Sequence, residues 1–355
     1  MRRNVPLTLR PNVLVASGRA SYGDVIHQLP RKGGIRECLV ARKGTLLCSC
    51  DYSGIELVAH AQSCLNLLGY SKMAEWINAH GAGSTHAALG AEMSGIPYDE
   101  FLRRYKAGDR QTANYRQAAK AINFGAPGGM GVPKLVLAKR KDDYTTTAPD
   151  GTEYRGLRFC LLIGGAKRCG IEKLTWWGSP ERGYPIPPTC AACLECARKI
   201  RDDWFARWPE NRDYFDLVSQ IVTDKAGIVQ HGSKRVRGGV TFTEAANGFF
   251  QAIPGDGAKQ AFYEVCKAGD GCGPSGRHSP LYGSRAVVFE HDEIIAEVPE
   301  NRAHEAAHEI SRIMIDSMRH YTPDVAVEAE PCLMRRWYKQ ASPVYKEGRL
   351  VPWEP

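Results

Sequence analysis

Two acids stand where packing does not call for them. Asp51 ends the apolar run of "LLCSCDYSGIELVAH" (Leu46–His60), and Asp292 sits between two apolar runs in "VVFEHDEIIAEV". Taken singly, Asp51 reads equally as a strand end turning into solvent, and "EHDE" as a hairpin turn of solvated acids. Taken together they have a sharper reading. Buried like charges repel, and a sheet gains nothing by placing two of them at strand ends. Carboxylates are hard oxygen ligands of the kind Mg²⁺ takes. Two such ions about 4 Å apart activate an attacking oxygen and stabilise a leaving one in phosphoryl transfer.

A third element fits the same chemistry. In "RQAAKAINFG", Arg116, Lys120 and Phe124 fall at i, i+4 and i+8, close to one face of a helix. Two cations and an aromatic on one stripe suit a phosphate chain and a flat base. Alone, the stripe also reads as a solvated basic face with Phe124 tucked into the core. A separate cluster offers soft ligands: Cys190, Cys193 and Cys196 in "TCAACLECARK", with Cys160 and Cys169 upstream. A Zn²⁺ site is one reading. The other is small core residues, because the run leads directly into a helix.

The elements that must position these groups follow from pattern. "GTLLCSC" and "NVLVASGR" have strand character within a region, residues 1–50, of strands and turns. Ile55, Leu57, Ala61, Leu65 and Leu68 predict a helix after Asp51. "STHAALGAEMSG" predicts a short helix, with Ser84 as N-cap and Gly95 as stop, and "YRQAAKAINFG" a strong one ending at Gly125. Residues 140–190 show no clear period. "CLECARKIRDDWFARWPENRDYFDLV" predicts a helix on either side of Pro209, "SRAVVFEHDEIIAEVP" a hairpin, and "RAHEAAHEISRIMIDSMRHY" an amphipathic helix. The tail "DVAVEAEPCLMRRWYK" predicts a last strand and an extended arm.

The bulk numbers narrow the class. With 355 residues, 43% hydrophobic and 24% charged, the chain can build one large or two ordinary domains. Its formal net charge of +8 fits a polyanionic partner without demanding one. No apolar run is long enough for a membrane helix or a signal peptide, so the expected location is a reducing cytoplasm, with most of the twelve cysteines as free thiols.

At this point the motifs resemble a family. "DYSGIEL", "RQAAKAINFG" and "EHDE" are similar, in order, to motifs A, B and C of the polymerase portion of family A DNA polymerases, most like the bacteriophage members. "SGRAS", "QLPR" and "NGFFQAIPGDGAK" resemble supporting segments, so the similarity runs from about Val13 to the end. The resemblance implies an α+β fold: an antiparallel palm sheet with flanking helices, formed by residues 1–65 and 229–355, and a mostly helical fingers subdomain inserted at 66–228. It implies a DNA-directed nucleotidyltransferase in which Asp51 and Asp292 hold two Mg²⁺, assisted by the Tyr52 carbonyl, with Glu293 as an accessory acid. Arg116 and Lys120 would grip the dNTP triphosphate, with His86 as a further contact. Phe124 would stack on the nucleotide and Glu56 would exclude ribonucleotides. Arg19, Asn247, Gln251 and His291 would touch the primer–template DNA. The expected location for a phage-encoded chain is the host cytoplasm.

Some positions depart from the family pattern. Gly54 and Val58 replace a common Gln and Arg, Gly128 stands where an aromatic is usual, and Thr243 replaces an Arg. The segment before Val13 is too short for a thumb or a 3′–5′ exonuclease domain, so the expectation is a split polymerase with these parts on a second polypeptide. Alternatives are a single-subunit RNA polymerase relative and a catalytically silent DNA-binding remnant. The former usually carries Met-Thr at Asn123-Phe124 and Ser at Glu293; intact Asp51, Lys120 and Asp292 argue against the latter.

Overall fold

The computed structural model describes residues 11–12, 21–22, 29, 34–170, 175–177, 184–186, 189–225 and 227–355. Arg19 lies outside them, as do most of "SGRAS", of the "NVLVASGR" strand and of "QLPR". The described residues form two compact units. One comprises the described residues of Met1–Gln62 with Gln230–Arg235 and Gly248–Pro355; the other comprises the described residues of Ser63–Val229 with Val236–Asn247.

The first unit is built on a six-stranded sheet. Its strands are β1 (Thr45–Tyr52), β2 (Arg285–Glu290), β3 (Glu293–Pro299), β4 (Ala329–Met334), β5 (Val344–Lys346) and β6 (Arg349–Trp353), in the order β2-β3-β1-β4-β6-β5. Pairing is antiparallel except for β4 with β6, which run parallel. The sheet is therefore central and mostly antiparallel, as expected for the α+β class. The last strand expected in the tail is β4; beyond Lys339 the chain adds the β5–β6 hairpin, whose return alongside β4 no local pattern announces.

β1 explains how an apolar run ends on an acid. Leu46, Cys48, Cys50 and Tyr52 alternate on one face and are buried, and the Tyr52 hydroxyl donates to the Met314 carbonyl at 2.6 Å. Leu47 on the other face joins Val288, Ile295, Met334 and Trp337 in a second cluster. Both faces of β1 are covered along most of its length, so it reads as nearly continuous apolar sequence.

The helices are α1 (Ile55–Leu68), α2 (Lys72–His80), α3 (Thr85–Ser94), α4 (Tyr98–Lys106), α5 (Arg110–Gly125), α6 (Val132–Lys139), α7 (Phe159–Leu162), α8 (Ala191–Arg207), α9 (Glu210–Thr223), α10 (Phe242–Gly269) and α11 (Ala303–Arg319). α11 buries Ala303, Ala306, Ala307, Ile310 and Met314 and packs on the sheet. In the second unit, α3 and α5 cross closely at Gly90, where an added Cβ would meet Phe101 at 2.9 Å and the Arg116 backbone N at 3.3 Å. Gly95 stops α3 in the left-handed conformation at φ +66°. Ser84 precedes α3 as expected, but its hydroxyl makes no capping bond: it donates to the Gly81 carbonyl and accepts from Trp76 Nε1.

Candidate active site

The first unit gathers the acids. In register, Asp51 of β1 lies opposite Glu293 of β3 on one side and Glu330 of β4 on the other. Directly opposite residues share a sheet face, so three carboxylates form one cross-strand row, an arrangement that destabilises a sheet by itself. Asp292 is added by the two-residue turn between β2 and β3, which the Glu290–Glu293 pair closes. His291, its first central residue, has φ +58°, while Asp292 is not at positive φ. Glycine usually takes a positive-φ position at the start of a two-residue hairpin turn. A histidine held there is local strain of the kind found at functional sites.

Crowding of like charge is visible at Asp51. Its carboxyl is pushed up to about 7, first by desolvation against the surrounding protein and then by repulsion from Asp292 and Glu293. The side chain still reaches solvent, at the rim of a cavity of about 340 Å³. Lys339 and the Tyr52 backbone N–H oppose the rise. The buried Glu293 accepts from Lys339 Nζ and from Ser49 Oγ, each at 2.5 Å. A set of carboxylate oxygens under mutual repulsion fits a divalent cation, which would relieve it. Sequence reasoning missed Lys339, Ser49 and Glu330. The first lies in the tail, far from any motif, and the others become neighbours of Asp51 only through strand register.

Glu56 occupies the first turn of α1, half-buried, where the helix dipole favours an acid. Val58 is fully buried. The departure at this position is thus a core residue, where an unpaired Arg would be costly. Gln251 is half-buried on α10 and His291 is exposed.

The second unit gathers the cations. α5 begins at an N-cap, Asp109, whose side chain accepts from Gln111 N at 3.0 Å. One face buries Ala118, Ala119, Ala121 and Ile122; Lys120 is exposed and Arg116 half-buried, its guanidinium 5.0 Å from the centre of the Tyr105 ring. Phe124 is 40% exposed, so it is not tucked into the core. Its ring lies 5.1 Å from that of His86.

His86 has a defined protonation state. Trp204 Nε1 can only donate, and it donates to Asn123 Oδ1 at 3.1 Å. This turns the Asn123 amide so that Nδ2 faces the Thr85 carbonyl at 3.4 Å and His86 Nδ1 at 3.1 Å. Nδ1 is therefore the acceptor, and the ring proton sits on Nε2. Burial first, then the charges of Arg116 and Lys120, hold His86 down at about 3. The ring is neutral and offers one N–H donor. In Trp204→Phe protein, the amide loses its anchor and His86 should lose its tautomer preference. Ring-nitrogen NMR shifts that stay as well separated as in the wild type would contradict this relay.

Asn247 lies in the second unit, as part of Val236–Asn247, against the turn after α5. Asn247 Nδ2 donates to the carbonyls of Gly128 (3.2 Å) and Thr243 (2.8 Å). A Cβ on Gly128 would lie 2.3 Å from Asn247 Oδ1, which explains why no aromatic occupies this position. Gly128→Ala should displace that amide and cost about 1–2 kcal/mol for two hydrogen bonds. In an Asn247→Ala background the same change should cost almost nothing, as read by thermal unfolding.

Of the five cysteines singled out, four come together: the Sγ atoms of Cys160, Cys169, Cys190 and Cys193 lie within 4.8 Å of one another. Cys196 does not join them. It packs against Gly164, where a Cβ would meet its Sγ at 2.6 Å. No helix among the described residues is long and apolar enough to cross a membrane.

No family model matches the chain, and no curated protein matches it. The fold does have solved counterparts. It is similar to the structure of the POL domain of Pol1 from M. smegmatis in complex with DNA primer-template and dNTP, with a TM-score of 0.61 at 19% identity. The similarity covers 93% of this chain and 48% of that one, so the chain spans about half the length of the protein it matches and shares its fold.

Proposed function

We propose that the chain synthesises DNA on a template, moving a deoxynucleotide from a dNTP to a primer 3′-OH with two Mg²⁺, as phage-type family A polymerases do. The observation that carries this reading is the crowded acid set of Asp51, Asp292 and Glu293 in a fold shared with a domain solved on primer-template and dNTP.

Asp51 and Asp292 would hold the ions, with the Tyr52 carbonyl beside them. Bound there, Mg²⁺ supplies Lewis-acid activation of a hydroxyl and neutralises departing phosphate charge. The residues of the chain do the rest. Lys339 and Ser49 hold Glu293 in place beside Asp51. Arg116 and Lys120 offset triphosphate charge, and His86 donates its Nε2–H to a phosphate oxygen. The exposed face of Phe124 stacks on the base, and Glu56 crowds a ribose 2′-OH. Arg19, Asn247, Gln251 and His291 contact the primer–template.

Primer extension with Mg²⁺ tests the reading, comparing dNTPs with rNTPs. Extension with dNTPs and little with rNTPs is expected. Equal use of both would remove the role of Glu56, and no extension by folded protein on any primer–template would remove the activity.

A further inference from the structure

We propose that Cys160, Cys169, Cys190 and Cys193 bind one structural Zn²⁺ ion within the second unit. Nothing in the polymerase reading requires this site.

The geometry is that of a mononuclear tetrahedral site. Zn–S bonds of about 2.3 Å put the sulfurs at the corners of a tetrahedron with edges of about 3.8 Å. The separations here are 3.3 Å for Cys160–Cys193, 3.7 Å for Cys169–Cys193 and 3.9 Å for Cys160–Cys190. All four cysteines are buried, so the sulfurs converge on one enclosed point. Even the shortest separation is well beyond the roughly 2.05 Å of a disulfide. An iron–sulfur cluster needs its thiolates spread around a larger body.

Local structure explains the convergence. Cys190 takes the N-cap position of α8 and Cys193 lies in its first turn, where the helix dipole favours thiolate charge. Cys160 lies in the short α7, which packs against α8. Cys169 comes from the loop beyond it. Four thiolates around Zn²⁺ carry a net charge of −2, and outer-shell donors normally offset such charge. Arg140 Nη2 is 3.9 Å from Cys169 Sγ, in the place for that role.

A metal tie at Cys190 and Cys193 anchors the first turn of α8, the helix whose Trp204 orients Asn123 and His86.

The test is metal analysis of purified full-length protein, with Mg²⁺ removed, by mass spectrometry. One Zn²⁺ per chain is expected in the wild type and in Cys196→Ser, and under a tenth of that in Cys193→Ser. If Cys193→Ser does not fold, wild-type protein titrated with a mercurial thiol reagent should release its zinc to a colorimetric chelator as the thiols are consumed. Co²⁺-exchanged protein should show the thiolate charge-transfer and ligand-field bands of a tetrahedral sulfur site. Four findings would each overturn the proposal: wild-type protein without zinc, iron in its place, a Cys160–Cys193 disulfide, or loss of zinc from Cys196→Ser alone. The result is independent of whether the chain extends primers.

Discussion

Replacing Asp292 with alanine should slow primer extension by roughly 10²- to 10³-fold or more, the range for removing one preorganised electrostatic contact from an active site. The same change should leave the fold intact and should not lower its stability. Asp292 sits in a two-residue turn whose backbone is held by the β2–β3 pairing and by the conformation of His291. Its charge raises the Asp51 carboxyl, so its removal relieves repulsion between like charges. Activity and stability are therefore expected to move in opposite directions, which a structural role would not produce. Single-turnover extension with Mg²⁺ and thermal unfolding of the two proteins read both quantities. Equal extension by wild type and variant would take Asp292 out of the site.

The largest effect on stability is expected at Arg36. This side chain is only 4% exposed and pairs with Glu290, itself 9% exposed, at 3.4 Å. It also donates to the Leu29 carbonyl from Nε and Nη2, and its guanidinium lies 4.3 Å from the centre of the Trp337 ring. Arg36→Met keeps much of the apolar contact but leaves Glu290 buried without its cation. The expected loss is about 3–5 kcal/mol, the cost of stranding one half of a buried pair. Adding Glu290→Gln should recover a substantial part of that loss, because the stranded charge is gone. A double-mutant cycle by chemical denaturation measures the coupling. If the single and double variants are equally unstable, the pair is not what holds this corner. Glu290 directly precedes the His291–Asp292 turn, so the same pair anchors the strand end that presents Asp292.

The chemistry-bearing positions were legible because function and packing disagree there. An acid after "LLCSC" and another inside "VVFEHDEIIAEV" break apolar runs that would otherwise continue. The helix at Ile55–Leu68 and the one ending at Gly125 followed from apolar spacing and a terminal glycine. Lys339, Glu330 and Ser49 were not legible, since each gains its meaning from a partner on another strand. The same holds for Trp204, whose sequence context is an ordinary amphipathic helix and whose importance lies in one hydrogen bond to Asn123. Among the cysteines, spacing alone could not separate four that converge from a fifth, Cys196, that points to Gly164.

By itself, then, the sequence determined which side chains are out of place for packing: Asp51, Asp292, the Arg116–Lys120–Phe124 stripe and the cysteine run. Those are properties of local pattern, set by the periods of strand and helix. Only the tertiary structure decided the neighbours: the row Glu293–Asp51–Glu330, the pairing of Lys339 with Glu293, the tautomer of His86 and the place of Asn247 against Gly128. The physical reason is range. Alternation and helical spacing act over a few residues, whereas charge repulsion, hydrogen bonding and metal coordination act between whichever groups the register of a sheet and the crossing of helices bring together.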